Sequence, residues 1–273
     1  MEYNWNVEQA ILEIESKGGD VTRNASGFVT SVSIRDSEEI WCIQHFASLE
    51  ELDSTSSALD DVVWSSLSDT SPLRILTLWN PSVSDHGLAN ITRFTSLRHL
   101  TLKNCSISDA GLKHIAKLSQ LEILELPECP NVTSVGVAYL GELCRLKSLD
   151  LSNTSIDDDA LETASRFPRL ETLAAAETEV TDIGVAHLRS HATLSFVALL
   201  HTRLSEQSLD HLATIENLKV LYFGGTVTKA SIPMFKRMSN LRELYFSDEM
   251  QDDQDCVAAI EEALPTVSVC VFD

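Results

Sequence analysis

A leucine anchor recurs along this chain every 23 to 25 residues, at Leu49, Leu73, Leu97, Leu121, Leu146, Leu170, Leu194, Leu218 and Leu241, with Val29 as a degenerate first copy. A period this regular constrains the architecture before any local propensity does. Each copy is too small to bury its own apolar face, so copies must stack and share one continuous core. An extended stack also lacks a single deep pocket, which argues against catalysis.

Each copy reads L-x-x-L-x-L, then a Thr or Cys, an aliphatic residue, a polar helix cap and a helix. Leu97-Leu100-Leu102-Cys105-Ile107-Ser108-Asp109-Gly111-Leu112-Ile115-Leu118 is one clean copy, and Leu146-Leu149-Leu151-Thr154-Ile156-Asp157-Asp158-Leu161 is another. The fourth and sixth positions share one face of a strand, because strand side chains alternate with period two. They include Leu76 and Leu78, Leu124 and Leu126, Val197 and Leu199, and Leu244 and Phe246. The ninth position holds Cys105, Cys129, Thr154, Thr178, Thr202 and Thr226, where a small polar group satisfies turn amides. Asp60, Ser84, Ser108, Thr133, Asp157, Thr181, Ser205 and Thr228 are expected helix caps. Most are followed by an acid (Asp61, Asp85, Asp109, Asp158, Asp182, Glu206), favourable at the positive end of a helix dipole. Gly87, Gly111, Gly136 and Gly184 share one helix position, consistent with close packing on the next coil.

This frame resembles the leucine-rich repeat family, whose consensus is L-x-x-L-x-L-x-x-N/C-x-L. More narrowly, it resembles the Cys/Thr repeats of F-box adaptor proteins and the bacterial T-x-I-T-D-x-G-L repeats. The likeness covers roughly residues 21 to 273. It implies an α/β fold: a right-handed solenoid or horseshoe with a parallel β-sheet on the concave face and helices on the convex face. About eleven strands are expected, all parallel.

Terminal coils have one neighbour only and need covers. Asn6 is expected to cap a helix carrying Ala10, Ile11 and Ile14, ended by Gly18-Gly19, and Phe28 to Ile34 reads as the first strand. At the other end, a helix from Asp253 to Ala263 precedes Pro265, and Val267, Val269 and Val271 alternate as a last strand. The expected organisation is one complete domain over 1–273: a cap helix and degenerate repeat at 1–48, repeats at 49–250 and a cap at 251–273.

Hydrophobic residues make up 44% of the chain, enough for a continuous core, yet no run reaches the length of a membrane-spanning helix. The first residues, Met-Glu-Tyr-Asn-Trp, lack the basic and apolar regions of a signal peptide, which points to the cytoplasm. With 41 acids against 20 bases the formal charge is −21, which disfavours nucleic acid and anionic membranes as partners. That acidity serves solubility and helix caps, or a basic partner. Cys105 and Cys129 occupy equivalent positions in adjacent copies and are close enough in principle to bridge. Thr fills the same slot elsewhere, so reduced structural thiols are expected there and at Cys42, Cys144, Cys256 and Cys270.

His187, His191 and His211 could cluster, but His114 repeats the same slot far away and no H-E-x-x-H is present. Asp157-Asp158-Asp159 and Asp252-Asp253 read as cap and surface acids. No catalytic or nucleotide-binding motif appears, so no enzyme, metal or cofactor is expected.

Function then rests on the third, fifth and seventh positions, which line the expected concave face. Early copies place Glu51, Asp53, Ile75, Thr77, Trp79, His99, Thr101, Lys103, Ile123, Glu125 and Asp150 there. Later copies place Ala174, Ala176, Phe196, Ala198, Leu200, Tyr222 and Tyr245. Phe196, Leu200, Tyr222 and Tyr245 should form a contiguous apolar patch over a low alanine floor, with Trp79, Ile75 and Ile123 as a smaller second candidate. Alternatively, these aromatics merely cover one another and favour strand conformation. The reading is a monomeric, non-enzymatic scaffold for an unidentified protein. Alternatives are a self-assembling structural protein, or a substrate adaptor of a ubiquitin-ligase-like system, although no F-box-like helical region precedes the repeats.

Overall fold

The computed structural model describes residues 6–35, 37–55, 60–68 and 71–272. Residues 1–5 and the side chain of Asp252, both used in the sequence reading, lie outside that set. The chain divides into two compact units, Met1–Asn131 and Val132–Asp273. Each is a stack of strand–helix coils.

The first unit contains α1 (Val7–Ser16), β1 (Asp20–Arg23), β2 (Val29–Ile34), β3 (Glu51–Ser54), α2 (Val62–Ser66), β4 (Ile75–Trp79), α3 (Asp85–Leu88), β5 (His99–Lys103), α4 (Asp109–Ile115) and β6 (Ile123–Glu125). Strands β2 to β6 pair in parallel, and the register aligns Val32, Leu52, Leu76, Leu100 and Leu124 in one row. That row is buried throughout, as the period-two reading requires. Asn6 caps α1 through a reciprocal capping box with Gln9, and Ala10, Ile11 and Ile14 are its buried residues.

The expectation of a wholly parallel sheet fails at this end. Strand β1 pairs antiparallel with β2, Val21 opposite Val32. A hairpin turn brings the chain back, with the Asn24 side chain accepting from the amides of Ser26 and Phe28 and Gly27 at φ 84°. Glycine adopts that left-handed backbone without a Cβ penalty. The extra strand covers the front of the stack in place of a further coil.

The second unit contains α5 (Ser134–Tyr139), β7 (Ser148–Asp150), α6 (Asp158–Ala164), β8 (Thr172–Ala174), α7 (Asp182–His187), β9 (Phe196–Leu199), α8 (Gln207–Leu212), β10 (Val220–Phe223), α9 (Ile232–Arg237), β11 (Glu243–Phe246), α10 (Gln254–Ala263) and β12 (Ser268–Val271). Its described strand pairs are all parallel, with Leu149, Leu173, Val197, Leu221, Leu244 and Val269 in one row. Five of those six are fully buried, whereas Val269 in the closing strand is only half-buried.

Most expected caps accept backbone amides: Ser84, Ser108, Thr133, Asp157, Thr181 and Thr228. Ser205 does so too, from the Gln207 N–H. Asp60 does not head α2; Asp61 precedes it and makes no side-chain cap. The acids beside the caps do more than face a helix dipole. Asp61 accepts from the amide and hydroxyl of Ser84, Asp85 from those of Ser108, Asp158 from those of Thr181 and Asp182 from those of Ser205. Each carboxylate thus binds the cap of the following coil, and the caps become links in a ladder along the stack.

Glu206 continues the ladder by accepting from the hydroxyls of Thr228 and Ser231. Those bonds, that of Ser231 first and then Thr228, hold its carboxyl below the usual range. A folded-state value below the unfolded one stabilises the fold above the unfolded pKa of about 4.3, and that contribution is lost as pH falls through the folded value. Wild type should therefore melt above Glu206→Gln at pH 7, with the gap closing in acid. A constant gap down to pH 3 would show that the charge is not used.

The ninth-position side chains also differ from expectation. Thr154, Thr178 and Thr202 donate to the carbonyls of Leu151, Ala175 and Leu199, three residues back, rather than accepting from turn amides. Thr226 is exposed. The eighth position takes the tight turn with left-handed backbone at Asn80, Asn104, Glu128, Asn153, Glu177 and His201.

Candidate functional site

On the face opposite the buried row, the second unit carries a run of stacked rings. Tyr222 and Tyr245 are in register on β10 and β11, and their rings stack at 4.2 Å between centroids and 13° between planes. Phe196 lies one strand earlier, with its ring 5.3 Å from that of Tyr222. Phe272 follows β12 and approaches both tyrosines, at 5.7 and 5.9 Å. The tilted pairs fall at spacings favourable for aromatic rings. Ala174 and Ala198 are in register across β8 and β9, and with Ala176 they leave the adjoining floor low.

Three of the four expected patch residues are therefore joined directly: Phe196, Tyr222 and Tyr245. Leu200 is half-buried beyond the end of β9, where the following coil presents Gly224 rather than a ring. Sequence reading missed Phe272, 46% exposed, because the last strand was read only for its alternating valines. Carrying the same phase one coil further places it in the seventh position. The Tyr245 hydroxyl donates to Glu243 at 2.9 Å. That bond, helped by desolvation and the carboxylate's charge, pushes the phenol up to about 12, so it stays a neutral donor at physiological pH.

The second candidate is not contiguous. In the first unit His99 stands in register between Ile75 and Ile123, separating the two isoleucines. Trp79 is 41% exposed with the Lys103 ammonium 4.8 Å from its ring centroid, so a cation already covers one face. Beside them runs a polar string. Thr101 donates to Glu125 at 2.8 Å, and His99 Nε2 lies 3.0 Å from the Thr101 hydroxyl and 3.7 Å from the carboxylate. The His99 interaction, then that of Thr101, holds Glu125 below its usual range against the opposing effect of burial.

A family model described as a leucine-rich repeat region matches residues 72–269. The chain belongs to the leucine-rich repeat family. No curated protein sequence matches it. Among solved structures, internalin C2 of Listeria monocytogenes aligns at 22% identity with a TM-score of 0.53, over 69% of this chain and 74% of that one. The internalin inlF of the same organism aligns at 16% and 0.52, over 98% of this chain and 89% of that one. The plant peptide hormone receptor RGFR1, solved in complex with RGF2, aligns at 16% and 0.52, over 83% of this chain and 45% of that one. At these identities the likeness shows a shared leucine-rich repeat fold.

Two histidines of these leucine-rich repeat coils, His191 and His211, have depressed pKa values. His211 accepts from the Arg189 guanidinium at 2.8 Å, and burial, then Arg189, pushes its pKa down. His191 is lowered by desolvation, opposed by the Phe167 carbonyl. Among the described residues no group of three or more His, Cys, Asp or Glu is arranged to hold a metal ion, and no helix is long and apolar enough to cross a membrane.

Proposed function

We propose that this leucine-rich repeat protein is a non-enzymatic scaffold that binds another protein on the exposed sheet face of its second unit. The site is the ring cluster of Phe196, Tyr222 and Tyr245, with Phe272 added and Leu200 at its margin; Trp79, Ile75 and Ile123 form a lesser, interrupted surface. The supporting observation is the half-exposed stack of Phe196, Tyr222 and Tyr245 beside a low alanine floor. Aromatic side chains give large contact area at low entropic cost and commonly dominate binding energy. Solenoids as a class present extended surfaces of this kind to protein partners, and the receptor among the structural neighbours was solved with a second component. The proposal includes one domain over 1–273, a monomeric state and a cytoplasmic setting, whose resting redox state suits six unbridged cysteines.

The test is Phe196→Ser together with Tyr222→Ser, read for stability and for capture of partner from the native cell. Partner capture should fall at least tenfold while the melting temperature moves little. Unchanged capture with a large stability loss would make the cluster structural. A second reading, self-assembly, draws on β12, whose Val269 and Val271 remain half-buried at positions that are fully buried in earlier coils. Light scattering separates the two, since a monomer at micromolar concentration removes the second.

A further inference from the structure

We propose that Cys105 and Cys129 form a site of reversible oxidation, joining adjacent coils of the first unit through a disulfide when the protein meets a hydroperoxide. The two Sγ atoms lie 3.3 Å apart and both thiols are free. The preceding strands β5 and β6 are paired in parallel, Thr101 opposite Glu125, which sets the backbones about 4.8 Å apart. Disulfides span Cα separations of roughly 4.4–6.8 Å, so closing the bond to about 2.05 Å asks for side-chain rotation and little backbone movement.

Cys129 is also turned in a way its slot does not require. The threonines at this position each bond the carbonyl three residues back in their own coil. Cys129 instead places its sulfur 3.2 Å from the Leu102 carbonyl of the preceding coil, the same oxygen that Cys105 approaches at 3.9 Å. That orientation leaves its sulfur 3.3 Å from that of Cys105. The contact between the two sulfurs, in which either can donate, holds the Cys105 thiol below the usual range against the cost of burial and drives Cys129 up. Cys105, the more exposed of the two sulfurs, is the one an oxidant reaches first, and fully buried Cys129 is its partner. Cys105 is 5% exposed, and it lines a surface hollow with Asn80, Pro81, Asn104 and Pro130, an opening suited to an oxidant the size of hydrogen peroxide.

The chemistry balances in two steps. The Cys105 thiolate attacks one peroxide oxygen, the O–O bond breaks, and hydroxide leaves and takes up the proton that Cys105 had released, giving a sulfenic acid and water. The Cys129 sulfur then attacks the Cys105 sulfur, the S–O bond breaks, and the departing hydroxide takes the Cys129 proton. Two thiols and one hydrogen peroxide thus yield one disulfide and two waters. A thiol reductant reverses it by exchange.

The experiment uses the full chain with exposed Cys144 and Cys270 replaced by Ser. After hydrogen peroxide treatment, unfolding and alkylation, two thiols should be protected, with peptide mapping linking Cys105 to Cys129 and dithiothreitol restoring both. Cys129→Thr uses a residue native to this slot in other coils, so folding should persist, checked by circular dichroism. That variant should accumulate a sulfenic acid at Cys105 that dimedone traps. The proposal is overturned if folded protein keeps both thiols alkylatable after peroxide, or if Cys105 oxidises without linking to Cys129.

Discussion

Leu124→Ala should destabilise the protein by about 2–5 kcal/mol. Leu124 is the middle residue of β6 and is fully buried, in register with Leu100 of the preceding strand. Truncation removes its transfer free energy and leaves a cavity. The cavity cannot collapse easily, because β6 is fixed by backbone hydrogen bonds to β5 and the flanking Leu121 and Leu126 are themselves fully buried. The expected value therefore falls in the upper part of that range. Urea unfolding measures it, with Ile183→Ala as control; Ile183 is 69% exposed on α7, so its truncation should stay within about 0.5 kcal/mol. A loss below about 1 kcal/mol at Leu124 would show that its side chain is not interior.

The period that identifies Leu124 as interior made the coils legible throughout. Spacing alone gives strand phase, and phase gives burial: Leu76, Leu78, Val197, Leu199, Leu244 and Phe246 are all fully buried as their positions require. Helix starts were legible for the same reason, since Ser, Thr and Asp recur where a cap must accept an amide. What periodicity does not carry is anything that occurs once. The β1–β2 hairpin has no second copy, and its turn signals, Asn24 and Gly27, lie between the cap helix and the first expected strand, outside any repeat position. The left-handed eighth position was partly written in Asn80, Asn104 and Asn153, but Glu128, Glu177 and His201 hide it, because the surrounding coil imposes the conformation on residues that do not favour it.

The candidate surface was legible to the extent that phase determines it. Tyr222 and Tyr245 meet because equal phase on parallel strands brings side chains into one row, and Phe196, on the same face but in register with Val220, reaches Tyr222 diagonally. Ile75 and Ile123 share that phase too, yet do not form a patch, since a row must be read across every strand and His99 lies between them. The partner each side chain takes was not legible. Nothing in spacing says that Lys103 lies over Trp79, that Tyr245 bonds Glu243, or that an acid beside one cap reaches the next.

That reach gives the second large effect: Asp158→Ala should cost about 2–3 kcal/mol, because two donors in the following coil lose a charged acceptor. Asp158 accepts from the amide and hydroxyl of Thr181, each at 2.7 Å. The glycine of the motif belongs to the same contact. A Cβ on Gly184 would lie 2.5 Å from the Asp158 carboxylate oxygen and 3.0 Å from its Cα, and the backbone atom cannot rotate away. Gly184→Ala should therefore cost about 1–3 kcal/mol by overpacking. If the glycine exists to admit the carboxylate, the two substitutions damage one interaction. The double variant should then fall short of the summed single losses by about 1 kcal/mol or more. A helix-dipole role alone predicts a different pattern: Asp158→Ala would cost only about 0.3–1 kcal/mol, salt would screen it, and Gly184→Ala would add independently. Asp158→Asn refines the choice, since it keeps an acceptor oxygen but removes the charge. Additivity within about 0.5 kcal/mol, with strong salt dependence, would replace the coil-to-coil ladder by the dipole.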